Sequence, residues 1–181
     1  INQISLLCQS IPGTNVDEVA NCIGIDPRIG RSFLNAGPGF GGSCLPKDLE
    51  TMIQFSSKIG TNPILLKAVQ QINERQIKQI ICLLEKNLGN VRNKRITILG
   101  LSFKENSDDV RESRSIELIK ILLKKKSKIT VHDPKAMQNT ESIFKNKITY
   151  ADSLSKSLDN CHCVIIMTPW EIYSKLKNNS F

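Results

Sequence analysis

The sequence predicts an α/β protein whose first part is helical and whose second part holds a small parallel sheet. Three observations carry this. Apolar residues recur at helical spacing through much of the first ninety positions. One long helical pattern, from Asn62-Pro63 to Gly89-Asn90, joins the two parts. From Ile96 onward short apolar runs alternate with amphipathic stretches, the pattern of β-α-β units.

Taken in order, Ile1, Ile4, Leu7, Cys8 and Ile11 mark a first helix. Thr14 or Asn15 can cap a second, running through Cys22. Residues 24–47 hold Gly24, Pro27, Gly30, Gly37, Pro38, Gly39, Gly41, Gly42 and Pro46, and cannot be regular structure. A disordered linker is the plain reading. Ile29, Phe33, Leu34, Phe40 and Leu45 are apolar anchors that a linker would not need. Asp48 can cap a helix to about Lys58, and Asn62 can cap the long one. That helix, at ~1.5 Å per residue, is a rod of roughly 39 Å. It suits a connector or a dimer spine as well as a plain core helix. Strands are expected at Ile96–Leu99, Ile129–His132, Ile148–Tyr150 and Val164–Met167, with helices at Ser115–Leu123 and 152–159.

The chain has 181 residues and a net charge of +8. Residues 75–128 hold 14 Lys/Arg against 6 Asp/Glu, so the whole excess lies there. Such a segment could meet nucleic acid, a membrane surface or a phosphorylated small molecule. Phe103 is its one aromatic residue, so stacking on bases is poorly supported. Lys124-Lys125-Lys126-Ser127-Lys128 reads as a solvated run at a helix C-terminus, where cations oppose the dipole. No stretch approaches the ~20 apolar residues of a membrane helix, and no basic n-region followed by a short apolar run opens the sequence, so no signal peptide is expected in it. Cys8, Cys22, Cys44, Cys82, Cys161 and Cys163 form no C-x-x-C pair, which suits a reducing cytoplasm. Cys161-His162-Cys163 is too tight for zinc-ligand spacing and reads as the start of a buried strand, so no metal is expected. Ile1 opens inside a helical stretch and Phe181 follows an apolar run closely, so both ends read as cuts.

Two segments carry chemistry. The first is Gly37-Pro38-Gly39-Phe40-Gly41-Gly42-Ser43-Cys44-Leu45-Pro46-Lys47-Asp48. Its glycines let backbone amides approach a ligand. A neighbouring cation and a helix start both favour the nucleophilic form of a thiol. Asp48 can hold a water or take a proton if the helix begins early. A structural cysteine sits among aliphatic residues on a periodic face, and Cys44 does not. The second segment, Gly100 to Ser113, follows the first strand, where such sheets bind ligands. It lacks G-x-G-x-x-G and is a poor pyrophosphate cradle. It offers Lys104 and Arg111 with carboxylates beside them, and Ser113 as a helix cap. A charged surface loop is the plain alternative.

Both segments, in order and spacing, resemble the UDP-glucose/GDP-mannose dehydrogenase family. The matching motifs are Arg28-Ile29-Gly30, Phe33-Leu34-Asn35-Ala36-Gly37, the cysteine loop, Leu66-Lys67-Ala68-Val69 with Ile72-Asn73 and Arg75-Gln76, and Gly100-Leu101 with Phe103-Lys104, Asn106, Asp108-Asp109 and Arg111-Glu112-Ser113. The resemblance implies a helical central dimerisation domain over 1–90 and an incomplete Rossmann-like, UDP-sugar-binding domain over 91–181. It implies oxidation of a sugar C6 alcohol to the acid in two hydride transfers to NAD. Cys44 would be the nucleophile and Asp48 would position or activate the hydrolytic water. Lys47 and Arg111 would approach NAD. Phe33, Leu34, Asn35, Ala36, Gly37, Phe40, Gly41, Phe103 and Lys104 would line the nucleotide-sugar site. Arg28 would reach the substrate of an adjacent subunit, and the long helix would build the homodimer. The family's NAD domain and its catalytic lysine and asparagine fall upstream of Ile1, and a substrate-binding arginine falls beyond Phe181. This stretch is therefore expected to be inactive alone.

The context of Arg28 to Phe40 is closer to the UDP-glucose branch, with the GDP-mannose branch as alternative. The N-acetylated-sugar branch typically has His before the cysteine and lacks the lysine. Two other readings stand beside these: a basic module binding nucleic acid, which leaves the cysteine loop without purpose, and a non-catalytic regulatory subunit.

Overall fold

The structure, a computed structural model, describes residues 1–176. It has four helices, then a four-stranded parallel sheet with helices between its strands. Helix α1 spans Asn2–Ser10 and α2 Val16–Gly24. Asn15 caps α2 by accepting from the Asp17 amide, and Asp17 and Glu18 face the positive end of its dipole. Helix α3 spans Leu45–Lys58, with Pro46 in its first turn. Helix α4, Ile64–Leu88, is the long one and ends at Gly89. Two expected caps differ. The N-cap of α3 is Cys44, because Pro46 fits the first turn and the helix starts three residues ahead of Asp48. The N-cap of α4 is Pro63, and Asn62 offers its backbone carbonyl to the Ile64 amide.

The strands are β1 (Arg95–Leu99), β2 (Lys128–His132), β3 (Thr149–Tyr150) and β4 (Cys163–Ile166). Their order is β3-β2-β1-β4, all parallel. Helix α5 (Arg114–Lys124) connects β1 to β2, and α6 (Met137–Phe144) with a 3-10 turn connects β2 to β3. Helix α7 (Leu154–Leu158) leads to β4, and α8 (Glu171–Ser174) follows it. The expected strands and the helix α5 are in place. Helices α6 and α8 were not anticipated. β4 is half-buried and Ile166 exposed, where Cys161–Cys163 was expected to start a buried strand; the strand stands at the sheet edge and keeps one side open.

The core is one-sided along the chain. Ile77, Ile81 and Leu84 of α4 join Ile96, Ile98, Leu118, Ile119, Leu122, Ile129 and Val131 around the sheet. The second half of α4 is therefore a core helix. Its first half exposes Ile64 and Leu65. Before residue 77 the sole buried hydrophobic residue is Ala20.

The chain leaves β1 toward β2 and β3 on one side and returns through α7 to β4 on the other. The crevice beyond the carboxyl ends of β1 and β4 is therefore the switch point of the sheet, the usual ligand position in open parallel sheets.

Candidate active site

The cysteine loop and the loop after β1 close on one another. Gly41 and Gly42 are buried between them. A Cβ on Gly41 would run into the carbonyl oxygen of Glu112. Gly42 has φ +87°, and a Cβ there would stand 2.8 Å from the Phe103 ring. Only glycine meets both demands.

The contact is fastened from below by α4. Asn73, almost fully buried, takes both backbone groups of Phe40: its Oδ1 accepts from the Phe40 amide at 2.8 Å, and its Nδ2 donates to the Phe40 carbonyl at 3.0 Å. Arg114, at the start of α5, donates to the Pro38 carbonyl at 3.3 Å and to the Asn73 carbonyl at 2.8 Å. The loop is also tied to the first helices. Gly37 donates to Asn2 Oδ1 at 2.9 Å. Arg31 donates to Asn21 at 2.7 Å and to Asn35 at 2.6 Å. This segment is an ordered loop, not a linker.

Cys44 is exposed at the N-terminus of α3, its sulfur 3.7 Å from Ser43 Oγ. The Asp48 amide donates to the Cys44 carbonyl at 2.8 Å, so the two residues stand one helical turn apart. Lys47 and Asp48 are both exposed. Arg111 is gripped by Asp109 through two nitrogens, at 3.0 and 2.7 Å. Its guanidinium is held above its ordinary pKa, first by the Asp109 hydrogen bond and then by the Asp109 charge. The same pair holds the Asp109 carboxyl below its ordinary value.

The loop after β1 rests on Asp133, at the end of β2. Its Oδ2 accepts from the amides of Leu101 (2.6 Å) and Ser102 (3.2 Å) and from Trp170 Nε1 (3.1 Å). Its Oδ1 accepts from the amides of Lys135 and Ala136, each at 2.8 Å. Ser113 caps α5 and also donates to the Leu101 carbonyl at 2.6 Å, closing the base of the loop.

A cleft of about 630 Å³ opens beside this junction. Phe33, Asn35, Ala36, Gly37 and Phe40 line one wall, and Phe103, Lys104, Met167, Thr168 and Pro169 another. Seven of the expected site residues therefore share one cavity. The Lys104 ammonium sits 5.4 Å from the centre of the Phe103 ring, a cation–π distance. Phe33 is 93% exposed, an apolar ring held at the cleft with nothing covering it. Leu34, Gly41, Cys44, Lys47, Asp48 and Arg111 do not line the cleft; Leu45, the residue after Cys44, does. Arg28 points to solvent, paired with Asp26 at 2.6 Å.

Sequence reasoning gave no role to Asn73, Arg114, Thr168 or Pro169. Asn73 had left a trace. It lies on the apolar stripe of α4, between Val69 and Ile77, where a polar residue needs a partner. Arg114 left none, since an arginine beside a helix cap reads as solvated.

Comparison with known proteins agrees with this architecture. Residues 1–75 match the UDP-glucose/GDP-mannose dehydrogenase family, central domain, and residues 97–181 match the same family's UDP binding domain. UDP-glucose 6-dehydrogenases of Rickettsia felis and Rickettsia bellii are 36% and 39% identical, over 97% of this chain and 40–41% of their own lengths. The Bacillus subtilis UDP-glucose 6-dehydrogenase TuaD is 35% identical over 94% of this chain and 37% of its own. A solved UDP-glucose dehydrogenase from Pyrobaculum islandicum superposes with a TM-score of 0.93 at 39% identity, covering 97% of this chain and 40% of that one. The chain thus spans about two fifths of the length of the relatives it matches. With both family domains in order and the two loops joined as one site, the chain belongs to the UDP-glucose/GDP-mannose dehydrogenase family.

Proposed function

We propose that this chain forms the nucleophile-bearing and nucleotide-sugar-binding parts of an NAD-dependent UDP-glucose 6-dehydrogenase. The observation that carries the reading is the junction itself. The cysteine loop is pressed against the loop at the sheet's switch point, beside a cleft of about 630 Å³, a volume ordinary for a small-molecule site.

In this reading the nucleotide lies toward Phe103 and Lys104, and the sugar toward Cys44. The Cys44 sulfur adds to the C6 aldehyde: a C–S bond forms, the carbonyl π bond opens, and the proton ends on the new hydroxyl. Oxidation of this adduct leaves a thioester. Water then attacks, the C–S bond breaks, and the sulfur recovers a proton as the acid departs. Holding the intermediate on sulfur divides a four-electron oxidation into easier steps. Asp48, one turn along α3 from Cys44, would receive a proton from that water.

The loop after β1 lacks the glycine pattern of a dinucleotide cradle. The residues that would meet NAD are exposed cations, Arg111 oriented by Asp109 and Lys47 on α3. NAD, when bound, supplies the hydride acceptor for both oxidations. The chain would act as a homodimer, with the exposed apolar residues of α4 against a second copy and Arg28 reaching across. The 181 residues alone would be inactive.

The test is NADH formation by the full-length protein with UDP-glucose, GDP-mannose and UDP-N-acetylglucosamine. Two NADH per UDP-glucose, abolished in Cys44→Ser, is the expected result. A response to GDP-mannose alone would move the assignment to that branch, and no NADH with any sugar would remove it.

A further inference from the structure

We propose that Arg114 is a positioning residue that transmits the state of the nucleotide loop to Cys44. The inference rests on the reading of Cys44 as the nucleophile.

Arg114 is an unusual residue for its place. It opens α5, where a cation faces the positive end of the helix dipole. Its side chain is nevertheless only 13% exposed. Three groups hold it there. Glu117, one turn along, accepts from Nη1 at 2.6 Å and balances the charge. The Asn73 carbonyl accepts from Nη2 at 2.8 Å, and the Pro38 carbonyl accepts from Nε at 3.3 Å. One planar guanidinium therefore joins three elements: α5, α4 and the cysteine loop.

Both neighbours of this junction lead to the chemistry. Backward along the chain, Ser113 closes the base of the loop from Gly100 to Ser113 through Leu101, and that loop carries Arg111 and meets the cysteine loop at Glu112 and Phe103. Across the space, Asn73 grips the backbone of Phe40, four residues before Cys44. A small cavity of about 180 Å³, lined by Phe40, Glu74, Glu112 and Arg114 among others, lies behind the loop. It leaves room for the loop to shift when the guanidinium is lost. A fork of fixed donors can hold two carbonyls in register; a flexible ammonium cannot. A displacement of about 1 Å at a reacting centre costs on the order of 10²-fold in rate.

The experiment uses the full-length protein and two readouts. One is kcat and KM for UDP-glucose. The other is the alkylation rate of Cys44 by iodoacetamide, followed on its own peptide by mass spectrometry, with and without UDP. UDP lacks the sugar, so it reaches the nucleotide loop without covering the thiol. In the wild type, UDP is expected to change the alkylation rate. In Arg114→Met, kcat is expected to fall about 10- to 100-fold with KM changed by less than about threefold, and UDP should no longer affect alkylation. A merely structural residue would lower the yield of folded protein and leave the UDP response of the folded fraction intact. Glu117→Gln, which frees the guanidinium without removing it, should move both readouts the same way by a smaller factor, and it decides the matter if Arg114→Met does not fold. Variants within about twofold of wild type on both readouts would overturn the proposal. Full activity in Cys44→Ser would instead count against the nucleophile, and the UDP-dependent alkylation would still decide on Arg114.

Discussion

At the scale of single residues, the buried carboxylate of Asp133 organises more backbone than any catalytic candidate does. It is 3% exposed and accepts from four backbone amides and from the Trp170 indole. Each buried donor left without a partner costs about 1–3 kcal/mol. Asp133→Ala strands several together, so a loss of roughly 3 kcal/mol or more is expected, a large share of the ~5–15 kcal/mol that stabilises a domain. Trp170 is the one tryptophan and touches Asp133, so its fluorescence in urea reports the loss directly. An unchanged midpoint would mean that water replaces the carboxylate. The neighbouring His132 sets a pH dependence. Its ring Nδ1 lies 3.0 Å from the Tyr173 hydroxyl, which itself donates to the His132 carbonyl. Burial lowers the His132 pKa, and the Asp133 charge only partly opposes this. The unfolded chain then binds the proton more readily than the folded one. Stability from this group is present above the ordinary histidine value of about 6.5 and is lost as pH falls through it toward the folded pKa. Urea midpoints are expected to drop between neutral pH and pH ~5.5, and to drop less in His132→Gln.

At the scale of elements, the decisive contact joins two loops, and glycine makes it possible. Gly41→Ala places a methyl group against the Glu112 carbonyl, a rigid backbone atom. The loops must part. Since Asn73 and Arg114 hold the cysteine loop only through Phe40 and Pro38, the strain falls on the segment leading to Cys44. Gly41→Ala is expected to lower kcat/KM by about 10²-fold or more, with a fall in Tm of several degrees, about 1–3 kcal/mol of overpacking. Normal turnover would show that the contact is slack. The sequence was informative about elements wherever periodicity was strong: α1, α4, α5 and the four strands. It failed at α6, where Met137, Thr140 and Phe144 give too few apolar positions and no side chain caps the start. It also misplaced two caps, since Cys44 and Pro63 hold the N-cap positions without a capping side chain. Asp48 and Asn62 are the better capping residues by type, and composition pointed to them.

At the scale of the whole molecule, apolar burial is divided unevenly, and that division yields the last prediction. Motifs identified which loops matter, but not that residues 39–42 rest on 103–113. That pairing spans some sixty positions and depends on Asn73 and Arg114, whose partners no local pattern names. The same limit hid the asymmetry of the core. From Ile77 onward the chain buries Ile, Leu and Val around the sheet; before it, Ala20 is the one buried hydrophobic residue, while Leu7, Ile11, Ile25, Phe55, Ile64 and Leu65 stand exposed. Amides opened by local unfolding exchange according to the apolar contacts that close them. In the 181-residue chain at low concentration, amides of β1, β2 and α5 should therefore be protected far more than those of α1 and α3. If the first part completes its core against a second copy through α4, its protection must rise with protein concentration while that of the sheet stays constant. Leu65→Glu, on the exposed half of α4, should abolish the rise and leave the sheet unaffected. Equal protection in both parts at every concentration would show that the helical part closes without a partner, and the proposed dimer face would then need another location.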